Sequence, residues 1–240
     1  MEELSREDLL YLADVTISNE QFDSSLKYMQ KAIDIDPHLS APEQNIFVSS
    51  YREICSGLRQ HLKKIISLAS SNEIVEDSQL QALEFLKKEV SEQIATLCHD
   101  ICSVVSEKLL PNSATSADKA MYHLIVADFS RYLSELELPE SIEAAEASHD
   151  NYMVAKQHAL ESFPKAHPLS LNITLNFTIL LNDIIGKREE AIEIATSTHN
   201  ECLSIVNQLE DPSDRSAAED ILETMKDNVI SWSSGQEPTE

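Results

Sequence analysis

The sequence is poor in basic residues, glycine, proline and aromatic side chains. Eighteen lysines and arginines stand against 42 acids in 240 residues, a formal net charge of −24 at pH 7. Such a surface repels nucleic-acid phosphates and anionic lipid, so we expect no binding to nucleic acid or membranes. Three glycines and eight prolines exclude low-complexity chains, and 42% apolar residues predict a folded protein.

The chain also lacks a long apolar run and a basic segment that leads into an apolar stretch at its N-terminus. A membrane helix needs about 18 apolar residues or more, and a secretory signal needs a charged start. No Gly-rich phosphate loop and no Ser-His-Asp arrangement is present. We therefore predict a cytoplasmic protein that is not an enzyme.

Cysteines are few and scattered, at positions 55, 98, 102 and 202. This usage favours reduced thiols over a disulfide framework. Cys98 and Cys102 share one face of a helix, but a zinc site needs two more ligands and no second Cys or His pair has suitable spacing. The thiols are expected to pack in the core, with no metal and no cofactor.

Stretches with helical periodicity alternate with proline and glycine. Ser5 and Asp8 form a predicted capping box, Pro42 and Pro168 suit first turns, and Gly186 suits a left-handed stop. We predict one all-α domain over 1–233 and a short polar tail over 234–240. About nine antiparallel helices are expected, with these approximate bounds: 4–18, 20–35, 42–69, 77–109, 115–136, 140–162, 168–185, 187–208 and 215–233.

One segment departs from helical periodicity. From Leu169 to Ile179 apolar and polar residues alternate, which is typical of a half-buried strand. No other stretch offers a strand partner, and a solitary strand leaves its backbone groups unpaired. Helix is therefore favoured here too.

The few arginines form a recognisable pattern. Arg52 and Arg59, seven residues apart, share one face of the third helix, roughly 10 Å apart along its axis, and Lys63 follows one turn later. A solvated charged face is the usual meaning of such spacing. Guanidinium groups also hold phosphate oxygens through charge-assisted hydrogen bonds. Arg131 and Tyr132 of the fifth helix are available as further donors.

At these positions and others the chain resembles the 14-3-3 family. The resemblance extends over nearly the whole chain and implies an all-helical cup with a concave groove for phosphoserine or phosphothreonine peptides of client proteins. It identifies a phosphopeptide-binding adaptor that regulates partners by occupying phosphorylated motifs. Five segments carry it in order: Asn45-Ile46-Phe47 through Tyr51-Arg52 to Arg59; Leu110-Pro111-Asn112; Asp128 through Leu133; His167-Pro168 through Leu175-Asn176-Phe177; and Lys226-Asp227-Asn228 through Trp232.

The resemblance also implies a set of site residues. Phosphate is expected to bind to a set with three arginines and a phenol: Arg52, Arg59, Arg131 and Tyr132. The peptide is expected to meet a second set: Asn176, Asn228, Leu175, Ile179, Asp183, Trp232 and Lys63. Helix-surface polarity explains the two asparagines equally well, and core packing is the alternative for Leu175 and Trp232.

Four positions depart from the family pattern. Leu124 stands at a basic position of the fifth helix, and three apolar wall positions are Asp220, Thr224 and Ser231. Because the phosphate anchor and the wall are separate contact sets, we expect phosphate binding to persist and the peptide preference to differ.

Family members usually dimerise through their first four helices. The matching ion-pair positions here cannot form the usual bridges between subunits: Gln21, Ser24, Glu89 and Gln93. Exposed pairs contribute only about 0–1 kcal/mol each, so their loss does not by itself abolish an apolar interface. We expect a homodimer that is weakened or absent, and four leucines are candidates for its centre or for internal packing: Leu9, Leu10, Leu12 and Leu86.

A tetratricopeptide-like scaffold is the alternative reading. The stretch from Phe22 to Pro37 resembles the second helix of such a repeat. It does not recur at the spacing of about 34 residues that the repeat requires. This alternative predicts peptide binding that is independent of phosphorylation.

Overall fold

The computed structural model describes residues 4–70 and 76–234. Within those ranges the chain contains α-helices and no strand, as predicted. The nine α-helices are α1 (Arg6–Ser18), α2 (Phe22–Ile35), α3 (Ala41–Ala69), α4 (Asp77–Val104), α5 (Ser116–Ser134), α6 (Ser141–Ser162), α7 (Pro168–Ile179), α8 (Arg188–Leu203) and α9 (Pro212–Ser234).

Several helix ends differ from the predicted bounds because the last turns change pitch. α4 and α7 continue into one π-helical turn each, over Val105–Leu109 and Leu180–Ile184. The predicted end of α8 at residue 208 is wrong: the helix stops at Leu203, and a 3₁₀ turn follows over Val206–Gln208. Gly186 has φ +76°, the left-handed conformation expected between two helices.

The predicted capping box of α1 is present. The Asp8 N–H donates to the Ser5 hydroxyl at 3.1 Å, and the Ser5 N–H donates to the Asp8 carboxylate at 3.1 Å. Hydrogen bonds from Ser5 lower the pKa of Asp8. At α7, Pro168 follows His167, whose ring accepts the Leu169 N–H at 3.1 Å.

The ambiguous segment from Leu169 to Ile179 lies within α7. This helix is buried on most of its circumference, including Leu171, Ile173 and Thr174. A helix surrounded by other elements has no polar face, so its sequence shows no helical periodicity. The apparent strand pattern therefore reflects full burial.

The chain forms two compact units, Met1–Asn112 and Ser113–Glu240. In the first unit α1 packs on α2 and α3 on α4. Its largest fully buried side chains include Met29, Phe47 and Tyr51. The single domain predicted over 1–233 stays a prediction.

In the second unit α7 contacts α5, α6, α8 and α9. Two buried clusters surround it. The first cluster contains side chains of α5, α6 and α8 together with Phe177 of α7 and Trp232 of α9. The second contains Leu171 and Leu175 of α7 together with Cys202 of α8 and Leu222 of α9. α7 thus supplies side chains to both clusters.

The four cysteines are not in disulfides, and three of them are buried. Cys98 is hydrogen-bonded to Cys55, and this bond together with burial raises the pKa of the Cys98 thiol. Residues 4–70 and 76–234 contain no group of three or more His, Cys, Asp or Glu side chains arranged to hold a metal ion. Among the helices of the same ranges, none has the length and apolar character needed to cross a membrane.

Candidate functional site

Arg131 is the most constrained of the predicted phosphate ligands. It lies in the last turn of α5 with only 8% of its surface exposed. Its Nε donates to the Tyr152 hydroxyl at 3.3 Å, and its Nη1 pairs with Glu135 Oε1 at 2.8 Å. The guanidinium carbon lies 4.7 Å from the centroid of the Tyr132 ring, within cation–π range. These contacts fix the orientation of the cation.

Asp128 is linked to Arg131 by hydrogen bonds through the Tyr152 hydroxyl. The Tyr152 hydroxyl donates to Asp128 Oδ1 at 2.7 Å while it accepts from Arg131. The Asn176 amide nitrogen donates to the same carboxylate oxygen at 2.9 Å. Three helices therefore meet at one buried carboxylate.

Tyr152 is not among the residues predicted from the sequence, although its hydroxyl connects the Arg131 cation to the Asp128 carboxylate. It belongs to α6. In the sequence it is recognisable only as a tyrosine on the same helix face as two small buried residues, Ala155 and Ala159. Residue spacing cannot pair a side chain of α6 with one of α5. Only packing shows the connection.

The charges of this network have a clear physical basis. Burial disfavours the Arg131 cation. Electrostatic interactions with four neighbours outweigh burial and raise the pKa of Arg131, and these neighbours are Tyr152, Asp128, Tyr132 and Glu135. Burial, and next the Asp128 charge, raise the pKa of Tyr152 well above its ordinary value. Tyr152 therefore keeps the proton that it donates, and Arg131 is a permanent cation.

Two predicted peptide-binding residues have unused hydrogen-bonding capacity. The Asn176 amide nitrogen is committed to Asp128, which leaves its carbonyl oxygen as the acceptor. Trp232 is 4% exposed, and its Nε1 has no hydrogen-bond partner in the part of the chain that the structure describes. Asn228, one turn before Trp232 on α9, is half-buried.

The remaining peptide-binding candidates of this unit differ in exposure. Leu175 is buried in the cluster shared with α8 and α9, as the core-packing alternative required. Ile179 is half-buried and packs against both clusters. Asp183 is exposed and accepts the Asn182 amide at 2.6 Å.

The departures from the family pattern are located on α5 and α9. Leu124 is 1% exposed and packs into the cluster of α5, α6 and α7, so this position offers neither a cation nor an exposed apolar contact. Asp220 and Thr224 are exposed, and with Asn228 they follow one face of α9 at four-residue intervals. Ser231 is half-buried.

The three basic residues that the sequence assigned to the third helix lie on α3, as the spacing predicted. Arg52 and Arg59 are half-buried, and Lys63, one turn later, is exposed. The opposite side of α3 buries Phe47, Tyr51 and other core residues. The assignment of all these residues to one phosphopeptide stays a prediction.

Comparison with known proteins gives a consistent result along the chain. A family model described as 14-3-3 protein matches residues 12–233. The chain is 27% identical over 233 residues to a 14-3-3-like protein of Fucus vesiculosus, covering 97% of this chain and 92% of that protein. It is 28% identical over 235 residues to the checkpoint signal transducer rad25 of Schizosaccharomyces pombe, covering 97% and 87%. It is 25% identical over 231 residues to the 14-3-3-like protein GF14 iota of Arabidopsis thaliana, covering 95% and 86%.

Proposed function

Because this chain belongs to the 14-3-3 family, we propose that it is an adaptor in signal transduction that binds phosphoserine or phosphothreonine motifs of client proteins. It acts by occupying these motifs and not by catalysis. The proposal includes a cytoplasmic location and no binding to nucleic acid or membranes.

The observation that carries this proposal is the buried Arg131 of the second unit. A cation held by Tyr152 and Glu135, and backed by Asp128, is oriented before any ligand arrives. Charge-assisted hydrogen bonds from such a donor are worth roughly 1.5–3 kcal/mol each. The adjacent Tyr132 phenol is proposed as a further donor to the phosphate.

Arg52 and Arg59 of α3 are proposed as the other phosphate ligands, with Lys63 close to the peptide. The planar guanidinium of an arginine donates to two phosphate oxygens at once, whereas a lysine acts as a point charge. The acidic remainder of the chain, with its formal charge of −24, discourages indiscriminate capture of anions. Phosphorylation of the client would therefore switch binding on.

The peptide main chain is proposed to bind Asn176, Asn228 and Trp232. Two groups support this: the side-chain carbonyl of Asn176, whose amide nitrogen is the group that binds Asp128, and the buried indole N–H, which has no partner among the described residues. A peptide backbone supplies a donor for the first and an acceptor for the second. Leu175, Ile179 and Asp183 complete the proposed contact set. Asp220 and Thr224 make the exposed face of α9 polar and acidic, so we propose a preference for polar or basic peptide residues there.

We expect Arg59→Ala to weaken binding of a phosphorylated peptide by about 2 kcal/mol or more, roughly 30-fold. The physical reason is the loss of one guanidinium from the phosphate. Calorimetric titration of one peptide in phosphorylated and unphosphorylated forms measures the effect.

Arg188→Ala is the control for this titration, because Arg188 is an exposed arginine on α8. It should leave the affinity unchanged. If the unphosphorylated peptide binds wild type as well as the phosphorylated one, the adaptor proposal is wrong and the tetratricopeptide-like scaffold is favoured.

A weak homodimer is the second part of the proposal. Leu9 is buried inside its own unit, so core packing accounts for it, while Leu10, Leu12 and Leu86 are half-buried. Phe85 of α4, in the same helix as Leu86, is not singled out by the sequence pattern and is 72% exposed. We propose that a second copy of the chain covers this ring.

Phe85→Asp is expected to weaken dimerisation by about 10-fold or more, because the substitution replaces apolar contact area with a charge. Light scattering over a range of protein concentrations measures the change. Ile142→Asp is the matched control, since Ile142 of α6 is 73% exposed and lies in the other unit. A wild-type chain that stays monomeric at high micromolar concentration would contradict the dimer.

A further inference from the structure

The second unit contains a cavity of about 380 Å³ between α6, α7 and α8. None of the proposed phosphopeptide ligands lines it. Its volume falls in the range of small-molecule sites, roughly 300–1,000 Å³. Its wall combines apolar residues with two lysines, two glutamates and four hydroxyl groups.

Ser170 of α7 gives the first indication of a ligand. It lines the cavity, is 8% exposed, and its hydroxyl has no hydrogen-bond partner within residues 4–70 and 76–234. The nearby Thr174 hydroxyl donates to the Ser170 carbonyl at 3.0 Å and leaves the Ser170 hydroxyl unpaired. A buried hydroxyl without a partner costs about 1–3 kcal/mol, and a ligand in the cavity would remove that cost.

Of the four charged residues in the wall, two form an ion pair with each other and two do not. Lys165 and Glu201 form an ion pair of 3.0 Å, and the Ser197 hydroxyl donates to Glu201 at 3.1 Å. Lys156, which is half-buried, and Glu193, which is exposed, line the same cavity, and neither takes part in an ion pair within residues 4–70 and 76–234. The cavity therefore offers one cation and one carboxylate to a guest.

The rest of the wall is apolar. Ala159 of α6 and Ile194 of α8 contribute hydrocarbon surface, and Leu160 lies beside them. Burial, with a smaller contribution from Glu201, raises the pKa of Cys202, so its thiol is neutral at pH 7. The cavity thus accommodates an apolar group as well as two opposite charges.

We propose that this cavity binds a small zwitterion of the amino-acid type. Its carboxylate meets Lys156 and the Ser170 hydroxyl, its ammonium group meets Glu193, and its apolar side chain packs against Ala159 and Ile194. This binding is separate from the phosphopeptide function and does not depend on it.

Titration of the full-length protein with L-phenylalanine tests the proposal, by calorimetry and by amide NMR shifts. Phenethylamine lacks the carboxylate and 3-phenylpropionate lacks the ammonium group, so each is expected to bind about 10-fold or more weakly than L-phenylalanine. Equal binding of the three probes would overturn the zwitterion. No binding of L-phenylalanine at about 10 mM would overturn the site.

Variants locate the binding. Lys156→Met, Glu193→Gln and Ser170→Ala are each expected to weaken L-phenylalanine binding several-fold, with the two charge changes at about 10-fold. The controls are Lys226→Ala and Glu223→Gln, which change exposed residues of α9. Equal losses in the controls, or no loss in the cavity variants, would overturn the assignment.

A separate readout distinguishes this proposal from the adaptor function. Lys156→Met and Glu193→Gln should leave phosphopeptide affinity unchanged, because neither residue belongs to the proposed peptide contacts. Circular dichroism melting confirms that the variants remain folded. Loss of phosphopeptide binding in these variants would contradict the independence of the two sites.

Discussion

Arg131→Ala should lower the free energy of unfolding by about 3–5 kcal/mol. The guanidinium is 8% exposed and balances the buried Asp128 through the Tyr152 hydroxyl. Its removal takes a counter-charge away from the buried network around Asp128 and leaves a cavity where the side chain was. Denaturant unfolding followed by circular dichroism measures the loss.

Glu135→Gln is the informative comparison. Glu135 also contacts Arg131, but its side chain is 27% exposed, and water can replace the pair. We expect a loss below about 1 kcal/mol, as for other solvent-accessible ion pairs. A small loss in Arg131→Ala, similar to that of Glu135→Gln, would show that the buried charges contribute little to stability.

Arg131 variants also need a readout apart from stability. Arg131→Lys retains the charge without the fork that reaches Tyr152 and Glu135. Under conditions where it stays folded, it should lose phosphopeptide affinity relative to wild type. Unchanged affinity of the folded variant would remove Arg131 from the proposed phosphate ligands.

Trp232→Ala is the second substitution with a large expected effect, a loss of about 3–5 kcal/mol in unfolding free energy. The indole is 4% exposed and packs into the cluster that α5, α6, α7 and α8 share. Alanine leaves a void that rigid neighbouring helices fill only in part. Thermal or chemical denaturation detects this change directly.

Trp232→Phe separates packing from hydrogen bonding. Phenylalanine preserves an aromatic ring but removes the indole N–H, which has no partner among the described residues. Stability should therefore fall far less than in the alanine variant. If the N–H donates to a bound peptide as proposed, phosphopeptide affinity drops by about 1 kcal/mol, roughly fivefold. An unchanged affinity would restrict Trp232 to a role in packing.

Leu124, where the family resemblance implied a basic residue, lies in the core of the second unit. A leucine at 1% exposure packs into the cluster of the second unit, so the substitution adds apolar contact. Asp220 and Thr224 instead alter the exposed surface of α9, where they leave the core unchanged. We therefore expect these two kinds of difference from the family to affect peptide selection more than folding.

Much of the local structure follows from residue chemistry alone. Pro168, Gly186 and the Ser5–Asp8 capping box act within one turn of the chain, so the sequence predicts them directly. The face shared by Arg52 and Arg59 also follows from helical spacing. α7 is the exception, because a helix buried on most sides has no periodic pattern to read.

The sequence by itself determined the helices, their caps and the location of the scarce arginines, since each depends on neighbours a few positions away. Only the tertiary structure brought Tyr152 to Asp128 and Asn176, and placed Ser170 beside Lys156 and Glu193. These residues are 14 to 48 positions apart in the sequence and belong to different helices, so their proximity depends on how the helices pack. Packing sums many weak interactions over long separations, which no local pattern in the chain records.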